Sequence, residues 1–307
     1  MLLQSNGFEQ NPAYRPPVLF FGDKKKKMKQ KTLLKPLEIK GIGLHSGRQT
    51  TVKIKPADEN TGILFEKDGV RMKALYQNVK DTQNCTLLEK DGVQISTIEH
   101  LMATLCVLGI DNALIECSST ELPILDGSAK EILTCFENAH LQTQKAPKRF
   151  LKVMKSVSFK DDKGNFIELC PPKNENLHIY FKIEFPSKIV GTQIFDGDIT
   201  KDIFASKIAP CRTFCEKYQI DYLRTLGLIK GGSLDNAVVL DGEKILNEGG
   251  FRLQDECVGH KVLDLVGDLY TSGYALLADV KAYKTGHYHN NMVLRNLFET
   301  TDNYEIL

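Results

Sequence analysis

The chain has 307 residues, 42% of them hydrophobic and 26% charged, with a formal net charge of +1. That length favours two domains, and the near-neutral balance describes a globular protein without the basic footprint of a nucleic-acid binder. No apolar run approaches the roughly 20 residues that span a bilayer, so no transmembrane helix is expected.

Residues 1–27 lack periodicity and contain Pro12, Pro16 and Pro17. Their apolar patch Val18-Leu19-Phe20-Phe21 precedes Lys24-Lys25-Lys26-Lys27, the reverse of a signal peptide. This stretch reads either as a disordered extension or as a misassigned start, with the fold beginning at Met28. Alternation of polar and apolar residues around Leu33, Leu37, Ile39, Val52 and Ile54 then predicts half-buried strands. Between them Gly41-Ile42-Gly43-Leu44-His45-Ser46-Gly47 is rich in turn residues. The spacing of Ile98, Leu101, Met102, Leu105 and Leu108 predicts a helix over 97–108, stopped by Gly109. A strand over 113–117 follows, then Pro123-Ile124-Leu125-Asp126-Gly127-Ser128 and a helix over 129–139.

Pro147 and the basic bend Lys148-Arg149 divide a first domain, 28–148, from a second, 149–307. The second half repeats the order, with strands over 151–159, 166–169 and 177–185 and a helix over 257–270. A strand over 274–283 precedes a last helix over 292–299, opened by Gly286-His287-Tyr288-His289-Asn290-Asn291. Such self-similarity suggests an α+β duplication, in which each half packs two helices on a sheet and the helical layers meet. One unit breaks the repeat: a short helix over 220–228, Gly231-Gly232-Ser233 and a strand over 237–240. Its apolar side, with Ile220, Leu223, Leu226, Ile229 and Val239, reads as core packing or as the wall of a groove for an apolar substrate.

The chemistry-bearing residues fall on these helices. If 257–270 is helical, His260 and Asp264 share one face and can grip one cation; His100 offers a third ligand, with Glu99 beside it. Three protein ligands plus an acid is the inventory of a hydrolytic zinc centre. Each part has a rival reading. His260 and Asp264 suit a solvated face or an ion pair of Asp264 with Lys261, and Ser96-x-x-Glu99 matches a capping box. Asp268, one turn further, suits an orienting group for an imidazole. His287 suits a cationic stabiliser or acid, with His289 as its competitor, and Thr213 offers a hydroxyl donor. The eight cysteines, Cys85 among them, have no paired metal spacing, and a reducing cytoplasm is expected.

Together, Ile95-Ser96-Thr97-Ile98-Glu99-His100-Leu101, Gly41 to Gly47, Pro123 to Ser128, Arg212-Thr213-Phe214, the run His260-Lys261…Asp264…Asp268 and Gly286-His287…Asn290-Asn291 resemble the UDP-3-O-acyl-N-acetylglucosamine deacetylases. These are zinc amidases of lipid A biosynthesis in Gram-negative bacteria. The match runs from about Met28 to Asn303. It implies a two-domain β-α-α-β sandwich with the active site between the halves. His100, His260 and Asp264 would hold Zn2+, Glu99 would be the base, His287 the acid or stabiliser oriented by Asp268, and Thr213 the oxyanion contact. The inserted unit, about 214–240, would shelter the acyl chain with Phe214, Ile220 and Val239. Lys261 and Phe185 would meet the nucleotide.

A basic residue that the family often places near strand 166–169 is Asn165 here, with Lys163 two positions away. Cys85 matches a family cysteine that captures a second, inhibitory zinc, or is simply a buried small residue. The expected partner is the UDP-linked acylated amino sugar, and the protein is expected to act as a monomer. The alternatives are a zinc amidohydrolase on another acylated substrate and a sugar-nucleotide or lipid binding module with structural zinc.

Overall fold

The computed structural model describes residues 28–137 and 139–307, so the expectation for residues 1–27 lies outside it. Two five-stranded sheets share one strand order. In the first half the order is Leu37–Ile42, Gln49–Pro56, Ala113–Cys117, Ile63–Lys67, Val70–Lys73. In the second it is Val157–Lys160, Phe166–Cys170, Asp279–Tyr283, His178–Glu184, Thr192–Asp198. In both, the central strand is the last in sequence, antiparallel to one neighbour and parallel to the other. The alternation is visible at Thr50, Val52 and Ile54, which are buried while Lys53 between them is exposed. The α+β duplication read from the sequence is therefore present.

The helices are α1 (Glu99–Leu108), α2 (Lys130–Glu137), α3 (Lys201–Ile203, running into a π-helical turn), α4 (Lys217–Thr225), α5 (Glu256–Tyr270) and α6 (His287–Leu297). Each half has its own apolar core, one centred on Val52, Ile54, Phe65 and Met102, the other on Phe181, Ile179, Val262 and Leu294. The helical layers meet where α1 lies against α5, and the small side chain of Ala103 on α1 packs into the second core. Gly267 makes this approach possible, since a Cβ there would lie 2.0 Å from the carbonyl oxygen of Glu99. Gly267→Ala should therefore lower stability by about 1–3 kcal/mol, read as a lower urea midpoint. An unchanged midpoint would mean that the two helices separate freely.

Each half carries an insert. The second half's is the expected strand-helix-strand unit: Phe214–Glu216 pairs in parallel with Val238–Asp241, and α4 crosses between them. The first half's is a three-stranded sheet, Val79–Asp81, Leu87–Lys90 and Val93–Ile95, which the sequence reading missed. Three boundaries also change. The predicted strand 151–159 is two strands, Phe150–Val153 and Val157–Lys160, in different sheets, because the chain switches sheets through the exposed Met154. The predicted strand 274–283 divides likewise into Ala275–Leu277 and Asp279–Tyr283. The last helix begins at His287 rather than at 292. Among the described residues no helix is long and apolar enough to cross a membrane.

Candidate active site

The N-terminus of α1 and the middle of α5 meet between the halves. Thr97 just before α1 has φ +60°, a strained conformation for a β-branched residue, and Ile98 takes the cap position without a side-chain bond. The Ser96 N–H bonds instead to the Thr120 carbonyl at 2.9 Å, and the Glu99 carboxylate accepts the Thr86 N–H at 3.0 Å. The capping box does not form, which leaves Glu99 on the cavity beside His100.

His100, His260 and Asp264 are buried, and their ligand atoms all lie within 4.8 Å of one another. Asp264 Oδ1 is 3.6 Å from His100 Nε2 and 3.5 Å from His260 Nε2. Atoms bound at about 2.0–2.1 Å to one tetrahedral centre stand roughly 3.3–3.4 Å apart, so this donor set fits a cation. Burial pushes the His260 imidazole down to about 4, which keeps it neutral and able to ligate. Its Nδ1 is 3.1 Å from the carbonyl oxygen of Cys211 and donates to it, which turns Nε2 toward Asp264. Burial alone would raise the Asp264 carboxyl, but Lys261, His260 and His287 hold it well below the usual range.

The ion pair weighed for Lys261 does form, with Nζ 2.7 Å from Asp264 Oδ2, and the same lysine lines the cavity. His287 opens α6, its Nδ1 2.7 Å from Asp268 Oδ2; Asp268 also accepts from Thr86 Oγ1 at 2.6 Å and Asn290 Nδ2 at 2.8 Å. Asp268 thus stands behind the imidazole, held in turn by Thr86 and Asn290. Burial alone would lower the His287 pKa, but Asp268 and Asp264 outweigh it and hold it at about 9. Among the described residues, and apart from its two chain neighbours, no group lies within 4 Å of where a Cβ on Gly286 would be, so space stays open beside His287. His289 is differently placed: its Nε2 is 3.1 Å from Asp161 Oδ2, and Asn165 Nδ2 donates to that same oxygen at 2.8 Å. Asn165 and the Lys163 backbone N–H are thereby used in closing the 160–166 hairpin.

Glu99, His100, His260, Lys261, Asp264, His287 and His289 line a cavity of about 800 Å³. Thr213, Phe185, Phe214, Ile220 and Val239 all line it, with Leu223, Leu226 and Ile229 of the insert continuing the apolar wall. Of the apolar side of the insert, Ile220, Leu223, Leu226 and Ile229 are unburied and wall the cavity, while Val239 is buried in the strand whose neighbours Val238 and Leu240 join the second core. Phe185 meets Phe214 edge to face at 5.4 Å. Cys85 is buried; burial and then Glu99 push its thiol well up, which suits the small-residue reading. The only metal-competent cluster among the described residues is the trio above.

The sequence reading gave no role to His45, which lines the cavity in the glycine-rich turn. Glu121 accepts the backbone N–H of His45 at 2.7 Å and of Ser46 at 2.8 Å, while a Cβ on Gly43 would lie 2.2 Å from that carboxylate. The turn then bonds to the other half's insert, Lys230 N–H to His45 O and Gly231 N–H to Leu44 O. Gly127 does the same service in Pro123 to Ser128, where a Cβ would strike the Asn236 carbonyl at 2.0 Å. Two glycine-containing motifs are thus latches between halves. A histidine bracketed by glycines was the signal available for His45.

Comparison with known proteins agrees with this geometry. The sequence is 39% identical over 287 residues to a UDP-3-O-acyl-N-acetylglucosamine deacetylase of Actinobacillus pleuropneumoniae serotype 3, covering 91% of this chain and 93% of that one. It is 41% identical to the proteins of that name from Histophilus somni and Teredinibacter turnerae, each over 91% of this chain and 93% of the relative. The family profile described as LpxC, UDP-3-O-acyl N-acetylglycosamine deacetylase, matches residues 30–299, and the chain belongs to that family.

Proposed function

We propose that the protein hydrolyses the acetamide of a UDP-linked 3-O-(3-hydroxyacyl)-N-acetylglucosamine, giving the free 2-amine and acetate, in lipid A biosynthesis. The observation that carries this reading is the three-ligand cluster with Glu99 and the Asp268-held His287 on a cavity that also has an apolar wall. His100, His260 and Asp264 would hold Zn2+, which when bound polarises the carbonyl and acidifies water. Glu99, its carboxyl raised chiefly by burial, takes the proton from the attacking water. Thr213 donates its hydroxyl to the carbonyl oxygen, and His287, cationic near neutral pH, delivers a proton to the departing amine.

Phe214, Ile220 and Val239 receive the acyl chain, and Lys261 and Phe185 the nucleotide side. We assign residues 28–148 and 149–307 to the two functional halves, which act as one monomer in a reducing cytoplasm. All eight cysteines are free, which suits that compartment. The cluster contains three protein ligands rather than the four of a structural zinc site, which favours the enzyme over the binding module.

Acetate release from the acylated UDP sugar is the direct test, run beside UDP-N-acetylglucosamine and after chelation. The unacylated sugar is expected to react at least about 100-fold more slowly, since each buried methylene contributes roughly 0.8 kcal/mol. Chelation is expected to stop the reaction and zinc to restore it. Equal rates on both sugars, or indifference to the chelator, would sink the proposal.

A further inference from the structure

A second buried ion pair stands outside the chemistry just described. Glu256 in the first turn of α5 is fully buried, and its Oε1 accepts from the Arg212 backbone N–H at 3.0 Å and from Nε at 2.8 Å. Its Oε2 accepts from Arg212 Nη2 at 3.1 Å and from the Arg252 N–H at 2.6 Å. Arg212 Nη2 also donates to the Gly250 carbonyl at 2.8 Å. A buried pair of this kind is weak evidence of stabilisation, because desolvation offsets most of the attraction. Its neighbours supply a different reason for it.

On one side of Arg212, the Cys211 carbonyl accepts from His260 Nδ1. A carbonyl only accepts, so this contact fixes the proton on Nδ1 and frees Nε2 to face His100 and Asp264. On the other side, Thr213, which lines the cavity, is pinned by its backbone, N–H to Gly127 O at 2.7 Å and O from Val238 N–H at 2.8 Å. Both groups belong to one three-residue strap. Its middle residue is clamped to the helix that carries His260 and Asp264.

We propose that Arg212 is a positioning residue: clamped by Glu256, it holds the strap 211–213 so that the Cys211 carbonyl orients His260 and the Thr213 hydroxyl faces the reacting carbonyl. The inference rests on the metal-hydrolase reading above. The planar fork of arginine satisfies Glu256 and Gly250 together, and a lysine ammonium cannot reproduce that geometry.

The test uses the full chain with Arg212→Lys, which keeps a cation opposite Glu256. Zinc affinity is measured by competition with a chromophoric chelator, and kcat and KM at saturating zinc. Zinc binding about 10-fold weaker and kcat about 10-fold lower, with KM within about threefold of wild type, are expected from a lost orienting contact. A folded variant with both values within about twofold of wild type would overturn the proposal. Weakened zinc binding with normal kcat would overturn the part assigned to Thr213. If the lysine variant does not fold, Glu256→Gln, which retains an oxygen for the Arg212 N–H, is read by the same criteria. Failure of the hydrolase reading looks different: the wild type itself then shows no zinc-dependent acetate release.

Discussion

Glu99→Gln is expected to keep its fold and its metal while losing about 10²- to 10⁴-fold in turnover. The substitution is close to isosteric, and the amide oxygen can still accept the Thr86 N–H that holds the carboxylate at 3.0 Å. What it loses is the ability to take a proton. The position suits that task, because burial raises the carboxyl above its ordinary value and so makes it a better proton acceptor, while His287 and His100 oppose the rise. The check is kcat on the acylated UDP sugar, with metal content measured on the same sample. Turnover within about tenfold of wild type would remove Glu99 from the mechanism.

His287→Ala is expected to cost a similar 10²- to 10⁴-fold or so, mainly in kcat. The imidazole is only 8% exposed, bonded through Nδ1 to Asp268, which leaves Nε2 as the atom available to the substrate. Asp268 keeps Thr86 and Asn290 as partners when the ring is removed, so the fold should survive. The pH dependence follows from the sign of the shift. A group held at about 9 is protonated at neutral pH and loses its proton as pH rises, so kcat/KM should fall toward alkaline pH at or below about 9. That limb should be absent in the alanine variant. An unchanged alkaline limb would assign it to another group, and wild-type turnover would end the acid role of His287.

Much of this site was legible because its spacing is local. Four residues along a helix can bring His260 and Asp264 together, and Glu99 and His100 are adjacent, but spacing alone left rival readings open and the family resemblance chose between them. The repeated order of elements also indicated that two helical layers meet. What stayed hidden depends on partners distant in sequence. Nothing local reveals that Gly43 makes room for Glu121, or Gly267 for the backbone of Glu99. The strand Thr192–Asp198 was missed because Thr192, Gln193, Asp196, Gly197 and Asp198 give it no apolar signature. The insert strands of three or four residues are too short for a period to register. The start of α6 was misplaced because His287, Tyr288, His289, Asn290 and Asn291 are weak helix formers, and tertiary contacts decide that turn.

One consequence follows from the way the ligands are divided. His100 belongs to the first half, and His260 and Asp264 to the second, so neither half alone presents three donors. A chain whose lobes have not docked offers at most a two-donor pair on one helix, which binds a cation far less firmly. On the proposed metal assignment, metal uptake would report correct assembly, and free metal would act through mass action as a brace that favours the docked state over every partly folded one.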